Sequence, residues 1–233
     1  MTDAASVPLA ERLSTIDERI SDAARAAGRD ASEITRIVVT KFHPASLVDE
    51  LSALGVGDVG ENRQQELTAK VGEVRLSGPL RWHFIGQAQT NKARAVRAAA
   101  SVVHTVDRAR LADAFDRAGE PGDYPLDVLV QVNLTDDAER GGVPPEGLEA
   151  LAEHVSGCGS LRLRGIMAVA PLDEEPASAF ARLAGYAERL RAIDPDARWI
   201  SAGMTGDFIE AISAGATHLR IGSAITGPRP LRG

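Results

Sequence analysis

Lys41 closes the run Ile37-Val38-Val39-Thr40-Lys41, so a long amine stands at the C-terminal end of an apolar, β-branched strand. An apolar surround disfavours the ammonium form, lowers its pKa and leaves a nucleophilic amine suited to a Schiff base with an aldehyde. The ordinary structural alternative is a lysine that snorkels from a strand end into water. Two later clusters combine small and hydroxylated residues. Ser201-Ala202-Gly203-Met204-Thr205-Gly206-Asp207 ends one predicted strand and opens a helix, and Arg220-Ile221-Gly222-Ser223 ends the last strand. Small residues there let backbone amides approach a phosphate, and the hydroxyls can donate to it. Plain strand-to-helix turn chemistry is the competing reading.

Other signals fall away. Gly55-Val56-Gly57-Asp58-Val59-Gly60 matches the dinucleotide pattern, but it follows a predicted helix and leads into a strand, the reverse of what that motif needs. A polar cluster, Glu61 to Glu66, comes after it, while Asn91 and Lys92 read as the opening of a helix. The five histidines show no metal-binding spacing, and no nucleophile elbow or P-loop occurs. Cys158, the single cysteine, can make neither an intrachain disulfide nor a cysteine-based zinc site, which fits a reducing cytoplasm.

The elements that must position these residues follow a repeating theme. An amphipathic helix over 9–27 is closed by Gly28. Strand-like runs then come at 37–42, 58–61, 82–86, 102–106, 128–134, 163–169, 199–203 and 219–222. Helical stretches follow at 44–54, 62–74, 90–100, 108–119, 144–156, 176–193 and 207–214. This alternation implies parallel βαβ units, and eight strands without a domain boundary predict an α/β chain folded as a single (β/α)8 TIM-type barrel with an extra N-terminal helix. An open doubly wound sheet is the alternative. Loops 119–125 and 141–147 read as surface connections, and the tail after Gly227 as frayed. In a barrel the active site is built at the C-terminal ends of the strands, with phosphate held after strands seven and eight, where the two small-residue clusters fall.

Composition narrows the classes. Of 233 residues, 44% are hydrophobic, enough for a buried core. With 26 Lys and Arg against 33 Asp and Glu, the net charge of −7 lacks the footprint of a nucleic-acid binder. The first thirty residues hold no apolar signal core, and no run approaches the ~20 apolar residues of a membrane span.

In sequence order, VVTK at 38–41, GEN at 60–62, WHFIG at 82–86, QTNK at 89–92, QVN at 131–133, RGIMAV at 164–169, SAGMTGD at 201–207 and RIG at 220–222 resemble the pyridoxal-phosphate homeostasis proteins. That small family has an alanine-racemase-like N-terminal domain. Departures are Gln87-Ala88 where the family usually has histidine and leucine, Arg63-Gln64 where it has an aromatic pair, SAGMT in place of SMGMS, and Thr226 in place of phenylalanine.

The resemblance implies one domain over 1–233, monomeric or loosely dimeric, holding pyridoxal 5′-phosphate as an internal aldimine on Lys41. By position, Ser201, Thr205, Gly222 and Ser223 would cradle the phosphate, Arg220 would face the pyridine nitrogen, and Asn62 and Met204 would line the ring. No metal is expected from the histidine spacing, and the carrier reading assigns no catalytic residue. An arginine donates to the ring nitrogen without protonating it, which makes the cofactor a poor electron sink.

Three classes compete. The first is a carrier that buffers the cofactor and passes it to recipient apoenzymes. The second is a racemase-like enzyme, and the third a cofactor-free barrel acting on a phosphorylated metabolite. Racemisation needs a second proton donor, and the chain offers only Tyr124 and Tyr186 and ends after the eighth strand. The carrier is the favoured expectation.

Overall fold

Apolar residues three and four apart give α1 (Leu9–Ala26) one buried face, formed by Leu13, Ile16, Ile20, Ala23 and Ala24. The structure, a computed structural model, describes residues 7–75 and 78–229. After α1 come eight parallel strands: β1 (Thr35–Val39), β2 (Asp58–Glu61), β3 (Arg81–Phe84), β4 (Val102–Val106), β5 (Leu126–Gln131), β6 (Leu161–Met167), β7 (Trp199–Ser201) and β8 (His218–Ile221). They pair in sequence order and close into a barrel, β8 against β1. The helices between them are α2 (Ala45–Ala53), α3 (Gln64–Glu73), α4 (Ala93–Ala99), α5 (Ala109–Asp116), α6 (Leu148–Ser156), α7 (Pro176–Ile193) and α8 (Phe208–Ser213). The closed barrel with its additional first helix is therefore the observed fold, and the open sheet is excluded.

Six of the eight strands stop one to three residues before the apolar runs that predicted them, β1 at Val39 and β7 at Ser201 among them. The runs continue because the chain stays buried after its ladder ends, as at Val132 and Ala168. Burial alone does not mark the end of a strand. A short helix not anticipated from the sequence, α9 (Ser223–Thr226), follows β8. Residues 230–233 of the tail expected to fray lie outside the described residues.

Strand residues alternate between two environments. Val38, Val59, Phe84, Val103, Val128, Ile166, Ile200, Leu219 and Ile221 face outward and join one large core with the helices. Burying such a side chain stabilises by roughly 2 kcal/mol, so this seam holds the helices on the barrel. A smaller cluster, Val102, Leu129 and Met167 with Trp199, occupies the lumen. Barrels of this kind usually fill the lumen with branched apolar side chains. Here His83, His104, Ser201, His218 and Arg220 are buried inside it, and His104 on β4 reaches Ser201 on β7 across the lumen. No helix among the described residues is long and apolar enough to cross a membrane.

Candidate functional site

The chain leaves β1 in a tight turn that presents Lys41. His43 N–H donates to Thr40 O at 3.1 Å, and Phe42 adopts φ 71°, the only non-glycine residue with positive φ among those described. Such a conformation costs about 1–3 kcal/mol and persists only when the surroundings impose it. They do so here. Phe42 N–H donates to Glu66 Oε2 at 3.0 Å, and Lys70 Nζ reaches from α3 to Thr40 O at 2.8 Å. Leu67 and Lys70, three apart, share the buried face of α3, which aims this lysine under the turn. Lys70 is ion-paired with Glu61 Oε1, which also accepts from Thr40 Oγ1 at 2.6 Å. Burial raises the Glu61 pKa above its ordinary value, against the pull of Lys70 and Thr40.

Lys41 lies one residue past Thr40, outside the strand, and is exposed rather than enclosed by apolar side chains. Its Nζ is 5.7 Å from the Phe42 ring centroid, and Arg63 at 5.3 Å and Arg229 at 4.0 Å approach the same ring. Three cations around one aromatic ring, one of them offset by Glu66 Oε1 at 3.5 Å from Arg63, leave this part of the mouth with a field that favours an anionic ligand.

Arg220 rises from β8 into the barrel end and is 5% exposed. It donates to Ser201 Oγ at 2.7 Å and to Ala168 O at 2.9 Å. Burial lowers its pKa to about 10, with the charge of Asp207 opposing, so it remains a cation at neutral pH. These two acceptors are a hydroxyl and a carbonyl, neither of them ionised.

Beyond β7 the chain turns at Gly203, φ 88°, where a Cβ would stand 2.7 Å from that of Ala211, so only glycine fits. Met204 N–H donates to Asp207 Oδ1 at 2.6 Å and fixes the loop. The amides of Thr205 and Gly206, and those of Ser223 and Ala224 opening α9, have no acceptor among the described residues. Gly222 leaves space, since a Cβ there would come no closer than 3.7 Å to Val39. Asn62 follows β2 with a buried Oδ1 that has no partner. These features fit a phosphorylated aromatic aldehyde: an amine, unclaimed amides, an open glycine and an orphaned acceptor.

Register brings the expected residues together. β7, β8, β1 and β2 are consecutive around the barrel, with Val38 beside Ile221 and Val39 beside Gly60. Lys41, Asn62, the loop from Ser201 to Thr205, Arg220, Gly222 and Ser223 thus share one end of the barrel. Met204 is 39% exposed at that end. A cavity of about 240 Å³ adjoins it, lined by Asn62, Arg63 and Gln87 among others. The sequence shows Glu61 only as the head of a polar cluster and gives Lys70, His83 and His104 no role at the site. Their signal was polarity within apolar strands or on an apolar helix face, but the partners that explain them are non-local. As expected, residues 55–60 join α2 to β2 instead of opening a helix.

Comparison with known proteins bears on family and fold. The family description "Alanine racemase, N-terminal domain" matches residues 12–230. The pyridoxal phosphate homeostasis protein of Mycobacterium tuberculosis is 40% identical over 96% of this chain and 94% of its own length. That of Pseudomonas aeruginosa is 40% identical over 95% of this chain and 96% of its own. Among solved structures, PipY of Synechococcus elongatus PCC7942 with PLP bound superposes with a TM-score of 0.83 at 31% identity, covering 94% of this chain and all of PipY.

Proposed function

This chain belongs to the pyridoxal phosphate homeostasis protein family, and from that premise we propose that it binds pyridoxal 5′-phosphate to carry and buffer the cofactor, without robust catalysis. Lys41 would hold the cofactor through its amine, and the cofactor would supply the aldehyde for that bond, with one water released. Amides of the loops holding Ser201, Thr205, Gly222 and Ser223 receive the phosphate. Asn62 and Met204 flank the ring. Recipients are apoenzymes that need the cofactor.

The observation that carries this reading is Arg220, a buried cation held by a hydroxyl and a carbonyl. Facing a pyridine nitrogen, it donates a hydrogen bond and gives up no proton. The ring stays a weak electron sink, and chemistry through a carbanion is disfavoured. The racemase-like alternative needs a second proton donor opposite Lys41. Tyr124 is 94% exposed in the loop that feeds the N-terminal end of β5, and Tyr186 lies on the outer helix α7 with its ring 5.2 Å from the Arg189 guanidinium.

The test is borohydride reduction of the protein mixed with pyridoxal 5′-phosphate, then intact mass and peptide mapping. A single adduct on Lys41, absent from Lys41→Ala, is expected. An adduct confined to Lys70 or Lys92 would reassign the site. Robust alanine racemisation by the unmodified chain would overturn the carrier reading.

A further inference from the structure

A file of side chains runs from Arg220 through the lumen to the opposite end of the barrel. Arg220 NH1 donates to Ser201 Oγ at 2.7 Å, and the same oxygen lies 2.9 Å from His104 Nδ1. His104 Nε2 is 2.8 Å from His83 Nδ1, and His83 Nε2 is 2.9 Å from Asp58 Oδ1. Asp58 opens β2 and also accepts from Arg81 Nε at 2.8 Å, at the start of β3. Ser201, His104 and His83 are completely buried. Three strands, β3, β4 and β7, contribute the middle of the file.

The direction of every bond follows from one end. An ionised carboxylate only accepts, so His83 Nε2 must carry hydrogen. A neutral imidazole has one N–H, which makes His83 Nδ1 an acceptor and His104 Nε2 its donor. His104 Nδ1 then accepts, and the Ser201 hydroxyl must donate to it. Arg220 can only donate, and the Ser201 oxygen receives it. No reversed order exists while Asp58 is charged and both rings are neutral.

Both conditions hold in this surround. Burial raises the Asp58 pKa, but the hydrogen bonds and charges of His83 and Arg81 outweigh it and leave the carboxyl below its ordinary value. Burial lowers His83 despite Asp58 and Asp127, and Arg81 adds to the lowering. Burial, then His83, His218 and Arg220, holds His104 well below its ordinary value.

We propose that Asp58, His83, His104 and Ser201 are positioning residues, a one-way relay of hydrogen bonds that commits the Ser201 proton inward and fixes Arg220 as the donor presented to the cofactor ring. The cofactor end rests on the function proposed above, whereas the order of protons within the relay does not. Ser201 then keeps no proton for a phosphate oxygen. The phosphate depends on backbone amides and on the hydroxyls of Thr205 and Ser223.

Ring nitrogen-15 spectra of the full-length protein, free of cofactor, read the relay directly. His83 and His104 should both be neutral and protonated only at Nε2 from pH 6 to pH 8. In Asp58→Leu no acceptor remains for His83 Nε2, the anchor is lost, and the Nδ1-protonated form should appear at both rings. An Nδ1-protonated His104 in the wild type, or unchanged tautomers in Asp58→Leu, overturns the relay. His104→Asn keeps an acceptor where Nδ1 stood, whereas His104→Leu removes it. Pyridoxal 5′-phosphate should bind about tenfold more weakly to the leucine variant, with a shifted visible band, and within about threefold of wild type to the asparagine variant. Equal binding by the two variants would overturn the link to the cofactor. A wild type that forms no reducible adduct would sink the cofactor reading, with the spectra still deciding the relay.

Discussion

A methyl group added at Gly222 and one added at Gly86 meet opposite surroundings, although both residues stand at strand ends near the pocket. At Gly222 the nearest atom to a built Cβ is that of Val39 at 3.7 Å, an ordinary contact. At Gly86 the same Cβ would lie 1.9 Å from Asn62 O. Gly222→Ala is therefore expected to leave unfolding free energy within about 1 kcal/mol of wild type while weakening pyridoxal 5′-phosphate binding, because the methyl enters space a phosphate needs. Pyridoxal without the phosphate should bind the two proteins alike. Gly86→Ala must push the chain after β2 aside and is expected to cost about 2–4 kcal/mol in urea unfolding. If Gly222→Ala binds the phosphorylated form as tightly as wild type, the phosphate does not sit there.

Elements, in turn, are tied to the site by Lys70, which links α3 to the end of β2 and to the turn after β1. Glu61 is fully buried, so Lys70→Met would leave a carboxylate without its cation. A loss of about 3–5 kcal/mol is expected, with most of it regained in Lys70→Met/Glu61→Leu, where the stranded charge is gone. A double variant no more stable than the single one would show that the pair does not act as a unit. The sequence made Lys70 visible only in part. Its spacing from Leu67 places a lysine on an apolar helix face, but the Glu61 that accounts for it arrives from a neighbouring strand. The alternation of runs was enough to read the barrel, since each strand and helix announces itself locally, and it put Lys41, Arg220 and Gly222 at one end. His83 and His104 show the limit. Each reads as a lone histidine in an apolar strand, and their mutual contact, like that of His104 with Ser201, exists only once the barrel has closed.

For the molecule as a whole, three histidines sealed in one lumen make stability a function of pH. Burial, chiefly, holds His218 at about 3 and keeps His83 and His104 below 6.5. A folded pKa below the unfolded one means that the unfolded chain binds more protons in between. The stabilising contribution is thus complete above about pH 6.5 and is lost as pH falls through that value toward the folded pKa. A histidine whose folded pKa lies far below this range adds up to about 1.4 kcal/mol per pH unit, so urea unfolding should show stability falling from pH 7 to pH 5, with a slope about 1 kcal/mol per unit smaller in His218→Asn, the ring held at about 3. A flat profile would mean that these rings are protonated in the folded barrel. One seam of that barrel is shorter than the rest: β7 and β8 share a single register pair, Ser201 with His218, against six pairs between β5 and β6. A hoop opens at its shortest joint, and the two loops proposed above to receive the phosphate lie on either side of this one. In the free chain, the amides of 199–203 and 217–222 should exchange with deuterium fastest among the strands, and a seated phosphate should slow them most, as a clasp does. Loaded and empty chains would then differ in stiffness at a single joint, a mechanical mark by which a recipient of the kind proposed above would tell one from the other.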